Sequence, residues 1–187
     1  MNIRELQSKF HNDPLGLLNS LGGYYFRPPG GPLVGYAGTY EDGGEKRNFV
    51  GELYANFAVA EEWPSVIDMW ARQICFVHSE PLRDINVFLG APEGGKSLAD
   101  KLALSNSLEY IFPDVKETSS LVGRPKKELV WGRHKLGQGK TVAIVEDVAN
   151  NFSTTNKLIK LVVDAGSRPA LLVCLLNRSE NVEDTFE

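Results

Sequence analysis

The stretch TVAIVEDVANNFSTTNKLIKLVVDAG, residues 141–166, decides the fold class of this chain. Its first residues form an apolar run that ends in two adjacent acids, Glu146 and Asp147, and a polar loop then leads into an amphipathic helix predicted over 153–164. Gly166 is well placed to end that helix as a C-cap. An apolar strand followed directly by a helix is the unit from which parallel sheets are built.

A second unit of the same kind lies upstream. The run INVFLGA, residues 85–91, predicts a strand, the stretch APEGGKS predicts a glycine loop, and SLADKLALSNSL is helical in pattern. A last apolar strand is predicted over 170–176. These elements predict an α/β fold with a mainly parallel central sheet flanked by helices. Ligands of such sheets bind beyond the carboxyl ends of the strands, where the loops 90–97 and 147–154 are expected.

The remaining elements are predicted from shorter signals. Short helices are expected over 3–10 and 14–21, followed by a Gly/Pro-rich connector or hood, FRPPGGPLVGYAG. Apolar residues at helical spacing predict a helix over 45–62 and a second one over 65–75. A pair of strands is expected at 119–123 and 128–131.

Composition sets the outer bounds. The chain has 187 residues, 42% of them hydrophobic and 24% charged, which predicts one globular domain over 1–187. Within it we expect N-terminal helices and hood over 1–40, a core over 41–178 and an acidic tail over 179–187.

Charge and apolar runs exclude several classes of protein. The net charge is −4 and the basic residues are scattered, so we expect no nucleic-acid partner. No apolar run approaches the roughly 20 residues of a bilayer helix, and the charged start is unlike a signal peptide, so no membrane partner and a cytoplasmic location are expected. Cys75 and Cys174 are interpreted as reduced core thiols.

The loop after the apolar strand has the chemistry of a phosphate site. A polar loop at a helix start offers unpaired N–H groups and the positive end of the helix dipole. Adjacent carboxylates would repel a phosphate, so they should face hydroxyl donors or a divalent cation, as the diol of a ribose 5-phosphate would provide. The side chains suited to the phosphate are Asn150, Asn151, Ser153, Thr154 and Thr155. The alternative is that Asp147 or Ser153 only caps the helix, with both acids solvated.

The pattern also resembles a known family. VEDVANNFSTT, residues 145–155, is similar to the phosphoribosyl pyrophosphate (PRPP) motif of type I phosphoribosyltransferases. LGAPEGGKSLADKLA, residues 89–103, resembles the pyrophosphate loop and following helix of that family. Residues 36–58 resemble an orotate phosphoribosyltransferase stretch in which a turn leads to a helix; the matching positions are Ala37, Gly38, Gly51, Tyr54 and Ala55.

The resemblance implies a type I phosphoribosyltransferase fold with a small N-terminal hood and a Mg²⁺-dependent transfer. The 5-phosphoribosyl group would pass from PRPP to a nitrogenous base, an orotate-like pyrimidine or another, with release of pyrophosphate. It also implies a homodimer, with the helix predicted over 45–62 as a candidate contact. The alternatives are a weakened or inactive regulatory protein that binds PRPP or a nucleotide on the same fold, and a structural protein with a vestigial pocket.

The resemblance also assigns residues, with no protein side chain expected as a direct metal ligand. The PRPP-binding residues would be Glu146, Asp147, Ala149, Asn150, Asn151, Phe152, Ser153 and Thr154, the two acids binding the ribose hydroxyls. The pyrophosphate-binding residues would be Glu93, Gly94, Gly95, Lys96, Arg124 and Lys126. The catalytic residues would be Asp147, Lys127, His134 and Lys135. Phe152 stands where the family usually has glycine, which predicts a narrowed or closed phosphate loop.

Overall fold

The computed structural model describes residues 2–118 and 126–179, and the chain divides into two compact units, 1–66 and 67–187. The single domain expected over 1–187 stays a prediction. In the first unit the elements are α1 (Ile3–Asn12), α2 (Pro14–Ser20), β1 (Tyr24–Phe26), β2 (Val34–Asp42), β3 (Glu45–Gly51), β4 (Leu53–Ala55) and α3 (Ala58–Glu61).

The two N-terminal helices were predicted correctly because both carry start signals. Asn2 and Glu5 form a capping box at α1. Asp13 accepts a hydrogen bond from the Gly16 amide at 2.8 Å, and Pro14 occupies the first helical position of α2.

The helix predicted over 45–62 is wrong. Gly43 and Gly44 both have positive φ, 59° and 84°, and this turn pairs β2 with β3 as an antiparallel hairpin. The chain then continues into β4, which pairs with β1, and only the short α3 is helical. Consequently Ala37 and Gly38 lie within a strand rather than in a turn before a helix, and the predicted dimer contact loses the helix that was to supply it.

The second unit holds the parallel sheet. Its elements are α4 (Pro64–Val77, which crosses the unit boundary), α5 (Ser79–Leu82), β5 (Val87–Gly90), α6 (Lys96–Asn106), β6 (Glu109–Ile111), β7 (Asp114–Thr118), β8 (Lys126–Val130), β9 (Thr141–Ala149), α7 (Ser153–Asp164) and β10 (Arg168–Asn177). The strand order is β10-β9-β5-β6, and every pair is parallel. The predicted fold class is therefore confirmed.

Burial explains this sheet. All four residues of β5 and the segment 142–146 of β9 are buried, as expected for strands covered by helices on both faces. Gly90 pairs with Val145, so the loop after β5 begins beside the acids of β9, which continues to Ala149 before its own loop starts. The buried cluster beneath them comprises Val87, Leu89, Ala91, Ile111, Val142, Ile144, Leu158 and Val162.

A separate two-stranded sheet, formed by β7 and β8, lies between β6 and β9 in the chain. β7 and β8 are antiparallel, with Asp114 opposite Val130 and Lys127 opposite Glu117. The strand predicted over 128–131 overlaps β8, whereas the one predicted over 119–123 lies outside the described residues, as do Arg124 and residues 180–187 of the acidic tail.

Candidate functional site

The two adjacent acids of β9 face different neighbours. Successive side chains of a strand point to opposite faces. The Glu146 carboxylate is buried, with 9% of the residue exposed, and it accepts a hydrogen bond from the hydroxyl of Thr155 in α7. The Asp147 carboxylate lies against Gly94, where an added Cβ would meet its Cγ at 2.6 Å. Each acid therefore belongs to a different loop–helix unit.

The alternative in which Asp147 or Ser153 only caps α7, with both acids solvated, is wrong, because the N-cap position is Phe152. Glu146 is buried, and Asp147 Oδ1 accepts from the amide of Val148 at 2.7 Å rather than from the helix. At the start of α7 the amide of Ser153 donates to Asn151 Oδ1 at 3.2 Å.

Burial raises the pKa of the Glu146 carboxyl from 4.5 to about 7, with a smaller contribution from the charge of Asp147, while the Thr155 hydrogen bond lowers it. Glu146 therefore gains or loses its charge close to neutral pH. Thr155 was expected to contact phosphate, but it is 1% exposed and its hydroxyl donates a hydrogen bond to Glu146.

Glu146→Gln is expected to flatten the dependence of stability on pH. With a folded pKa near 7 and an unfolded one near 4.5, the native state binds more protons in that interval, so stability falls as pH rises through it. Relative to the Gln variant, the parent should lose about 2 kcal/mol of unfolding free energy between about pH 5 and 8. Urea titrations at several pH values measure this. The control is Glu62→Gln, which removes an exposed carboxylate. If unfolding free energy depended on pH equally in all three proteins, the raised pKa of Glu146 would be contradicted.

The loop between β5 and α6 is a tight turn built on glycine. The Ala91 amide donates to the Val145 carbonyl at 2.8 Å, and the Gly95 amide donates to the Ala91 carbonyl at 3.1 Å. A Cβ on Gly95 would overlap the Val145 carbonyl and meet the Ala91 nitrogen at 2.6 Å, so no other residue fits. Glu93 is exposed and has a left-handed φ of 74°. The predicted turn over residues 93–95 is present, while its pyrophosphate role stays a prediction.

In the loop between β9 and α7, Phe152 has a backbone conformation that glycine adopts more easily than other residues. Its φ of 54° and ψ of 15° are left-handed, a conformation that costs a residue with a Cβ about 1–2 kcal/mol. The ring is half-buried, and the Phe152 carbonyl accepts from the Asn156 amide at 2.8 Å. Within the described residues the Thr154 amide has no acceptor, so this donor of the helix start is available to a ligand.

One aromatic residue that sequence reasoning missed joins two predicted site residues. Phe112 follows β6 directly, and the Lys96 ammonium lies 4.5 Å from the centroid of its ring. The His134 ring lies 4.5 Å from the same ring, tilted by 56°. The IFPD stretch contains an aromatic residue at the carboxyl end of a strand, but β6 was not predicted, so this signal was overlooked.

The other predicted basic residues are not brought to these loops by any contact seen among the described residues. Lys127 is exposed on β8, and Lys135 is exposed after it. Lys126 contributes its backbone to β8. The segment after β8 is nevertheless anchored, because Trp131 and Leu136, like Leu129 of β8, pack against the buried cluster of the sheet.

Residues 2–118 and 126–179 lack both a preformed cluster of metal ligands and a membrane-spanning helix. These residues contain no group of three or more His, Cys, Asp or Glu side chains placed to hold a metal ion. No helix in these two ranges is long and apolar enough to cross a bilayer.

Solved structures share this architecture. The chain is similar to the UMP synthase of Leishmania donovani, with a TM-score of 0.61 and 14% identity over 89% of this chain and 31% of that chain. It is similar to the orotate phosphoribosyltransferase of Aeropyrum pernix, with a TM-score of 0.59 and 15% identity over 87% of this chain and 92% of that one. It is also similar to the adenine phosphoribosyltransferase of Thermoanaerobacter pseudethanolicus, with a TM-score of 0.53 and 12% identity over 75% of this chain and 82% of that one.

The chain has the type I phosphoribosyltransferase fold. No protein-family model and no curated protein matches the sequence significantly. The chain spans about a third of the UMP synthase structure and most of the two single phosphoribosyltransferases. At these identities the likeness concerns the fold, and both orotate and adenine enzymes share it.

Proposed function

We propose that the chain is a cytoplasmic phosphoribosyltransferase that transfers the 5-phosphoribosyl group of PRPP to a nitrogenous base, an orotate-like pyrimidine or another, and releases pyrophosphate. The observation that carries the proposal is the position of Asp147. Its carboxylate stands at the end of β9 beside Gly94 of the neighbouring loop, and the same strand leads into the left-handed turn at Phe152 and the start of α7. This arrangement supports a ribose held between two anion-binding loops.

Different parts of the site would bind different groups of PRPP. The start of α7, with the Thr154 amide and the hydroxyl of Ser153, would receive the 5-phosphate. Asp147 would accept from a ribose hydroxyl, and the turn at residues 93–95 with Lys96 would meet the pyrophosphate. Buried Glu146 would support the site through Thr155 from the other face of the sheet.

The donor set fits Mg²⁺ bound together with its substrate. Mg²⁺ in phosphate sites is held by one or two carboxylates and by substrate oxygens rather than by an all-protein cage. Asp147 supplies a carboxylate beside the pyrophosphate loop, and no described cluster of acids would hold the ion alone. When bound, the ion would neutralise charge on the departing pyrophosphate.

The chemistry requires no protein nucleophile. The base nitrogen forms the new bond to C1 of the ribose while the bond from C1 to the pyrophosphate oxygen breaks; the electron pair leaves with pyrophosphate, and the proton of the base N–H is released to solvent. The task of the protein is to hold the reactants and to stabilise the negative charge that develops on the leaving group. Lys96 and His134 are the basic groups best placed for this among the described residues.

Calorimetric titration with PRPP, with and without Mg²⁺, tests the proposal. We expect micromolar affinity that depends on Mg²⁺, followed by pyrophosphate release when a panel of purine and pyrimidine bases is supplied. Ribose 5-phosphate is the comparison ligand, because it lacks the pyrophosphate and should bind more weakly and with little need for the ion. Absence of PRPP binding would overturn the proposal.

A second function has one observation in its favour. The Ser153 amide is already paired with Asn151 Oδ1, and Phe152 occupies a position of the loop that suits glycine, so the phosphate loop is partly filled by its own residues. A regulatory protein that binds PRPP or a nucleotide without turnover would tolerate this. Binding of PRPP with no pyrophosphate release from any base of the panel would favour it over the enzyme.

A further inference from the structure

The cation of Lys96 is held in an unusual way. Lys96 is the first residue of α6, where the helix dipole is positive and disfavours a cation. No ion pair joins it to an acid among residues 2–118 and 126–179, and its ammonium instead lies over the face of Phe112. A ring face stabilises the cation without neutralising its charge. The ammonium therefore stays available to an anion at the turn of residues 93–95.

His134 reaches the same ring from a distant part of the chain. The β7–β8 hairpin separates Phe112 from His134 in sequence. Trp131 and Leu136, which flank His134 in sequence, pack against the buried cluster of the sheet, so the segment that brings the His134 ring to Phe112 is docked on the sheet. Tyr110 supports Phe112 from β6, with ring centroids 5.7 Å apart. Phe112 thus contacts both Lys96, a predicted pyrophosphate-binding residue, and His134, a predicted catalytic residue.

We propose that Phe112 is a positioning residue that holds the Lys96 ammonium and the His134 imidazole side by side at the carboxyl end of the sheet, so that both meet the pyrophosphate group of PRPP. This inference rests on the proposed function. Phe112 acts through its two neighbours and needs no contact with the ligand. Its removal should weaken contacts to pyrophosphate and leave those to the 5-phosphate intact.

The test compares three ligands on one set of variants. Phe112→Leu keeps apolar bulk and removes the aromatic face, whereas Phe112→Tyr keeps that face. We expect Phe112→Leu to weaken binding of PRPP and of inorganic pyrophosphate, each with Mg²⁺, by about five-fold to ten-fold, and to leave ribose 5-phosphate unchanged. Phe112→Tyr should retain parental affinities. The matched control is Phe76→Leu, at an aromatic residue of α4 that is 85% exposed, and it should change none of the three.

A double-mutant cycle separates positioning from general packing. If Phe112 acts through Lys96, then Lys96→Met should cost pyrophosphate affinity in the parent and much less in the Phe112→Leu background. Additive losses, or a loss of ribose 5-phosphate binding as large as that of pyrophosphate, would overturn the inference. If the parent itself binds neither PRPP nor pyrophosphate, the proposed function and this inference both fail; if it binds them and Phe112→Leu shows no selective loss, only this inference fails.

Discussion

Phe152→Gly is expected to tighten PRPP binding by about 100-fold, or about 2.7 kcal/mol, within the range of one strong hydrogen bond to a charged group. Phe152 has a left-handed backbone at the start of α7, where glycine carries no Cβ penalty and lets a phosphate approach the amides. Removing the side chain should open the loop without changing its course. Calorimetric titration with PRPP and Mg²⁺ measures the gain.

Phe152→Ala is the matched control for this substitution. It removes the ring but keeps the Cβ, so its affinity should lie between those of the parent and the Gly variant, and the two steps separate ring bulk from backbone strain. Thermal unfolding of all three proteins checks that the half-buried ring is not needed for folding. If the Gly variant binds PRPP no more tightly than the parent, the ring does not narrow the site.

The parallel sheet could be predicted because its signals are long and consistent. The apolar run of β9 and the amphipathic pattern after it placed α7 correctly at Ser153–Asp164, and β5 and α6 followed from the same logic. The helix expected over 45–62 failed for the opposite reason. The apolar residues of this segment do not form a buried helix face, since Phe49 is 51% exposed on β3. The turn at Gly43 and Gly44 instead favours a hairpin.

The placement of the candidate residues on strand ends and loops was predictable from the sequence, and the orientation of their side chains was less so. The sequence placed two acids before a polar loop at a helix start, and Phe152 has the left-handed backbone that suits the glycine expected there from the resemblance. The opposite orientations of Glu146 and Asp147 follow from strand alternation once β9 is known to continue to Ala149. The raised pKa of Glu146 depends on its burial, and the Thr155 hydrogen bond opposes that rise; both arise from tertiary packing that no local pattern in the sequence encodes.

Asp147→Asn is expected to weaken Mg²⁺-dependent PRPP binding by about 100-fold, or about 2.7 kcal/mol. Asn has the same shape, and its side-chain oxygen can still accept from the Val148 amide, so the end of β9 should keep its geometry. What is lost is the negative charge beside Gly94, where the ion and the ribose hydroxyls would meet. Titrations with PRPP in Mg²⁺ and in a chelator measure the effect as the ratio of the two affinities.

The control for Asp147→Asn is Asp84→Asn, which removes an exposed carboxylate of the same unit and should leave this ratio unchanged. A second readout shows whether the substitution stays local. Because the charge of Asp147 helps to raise the pKa of Glu146, its removal should move the pH-dependent loss of stability to lower pH while the protein remains folded. An Asn variant with parental dependence on Mg²⁺ would mean that Asp147 does not take part in holding the ion, and the ribose site would then have to be sought without that carboxylate.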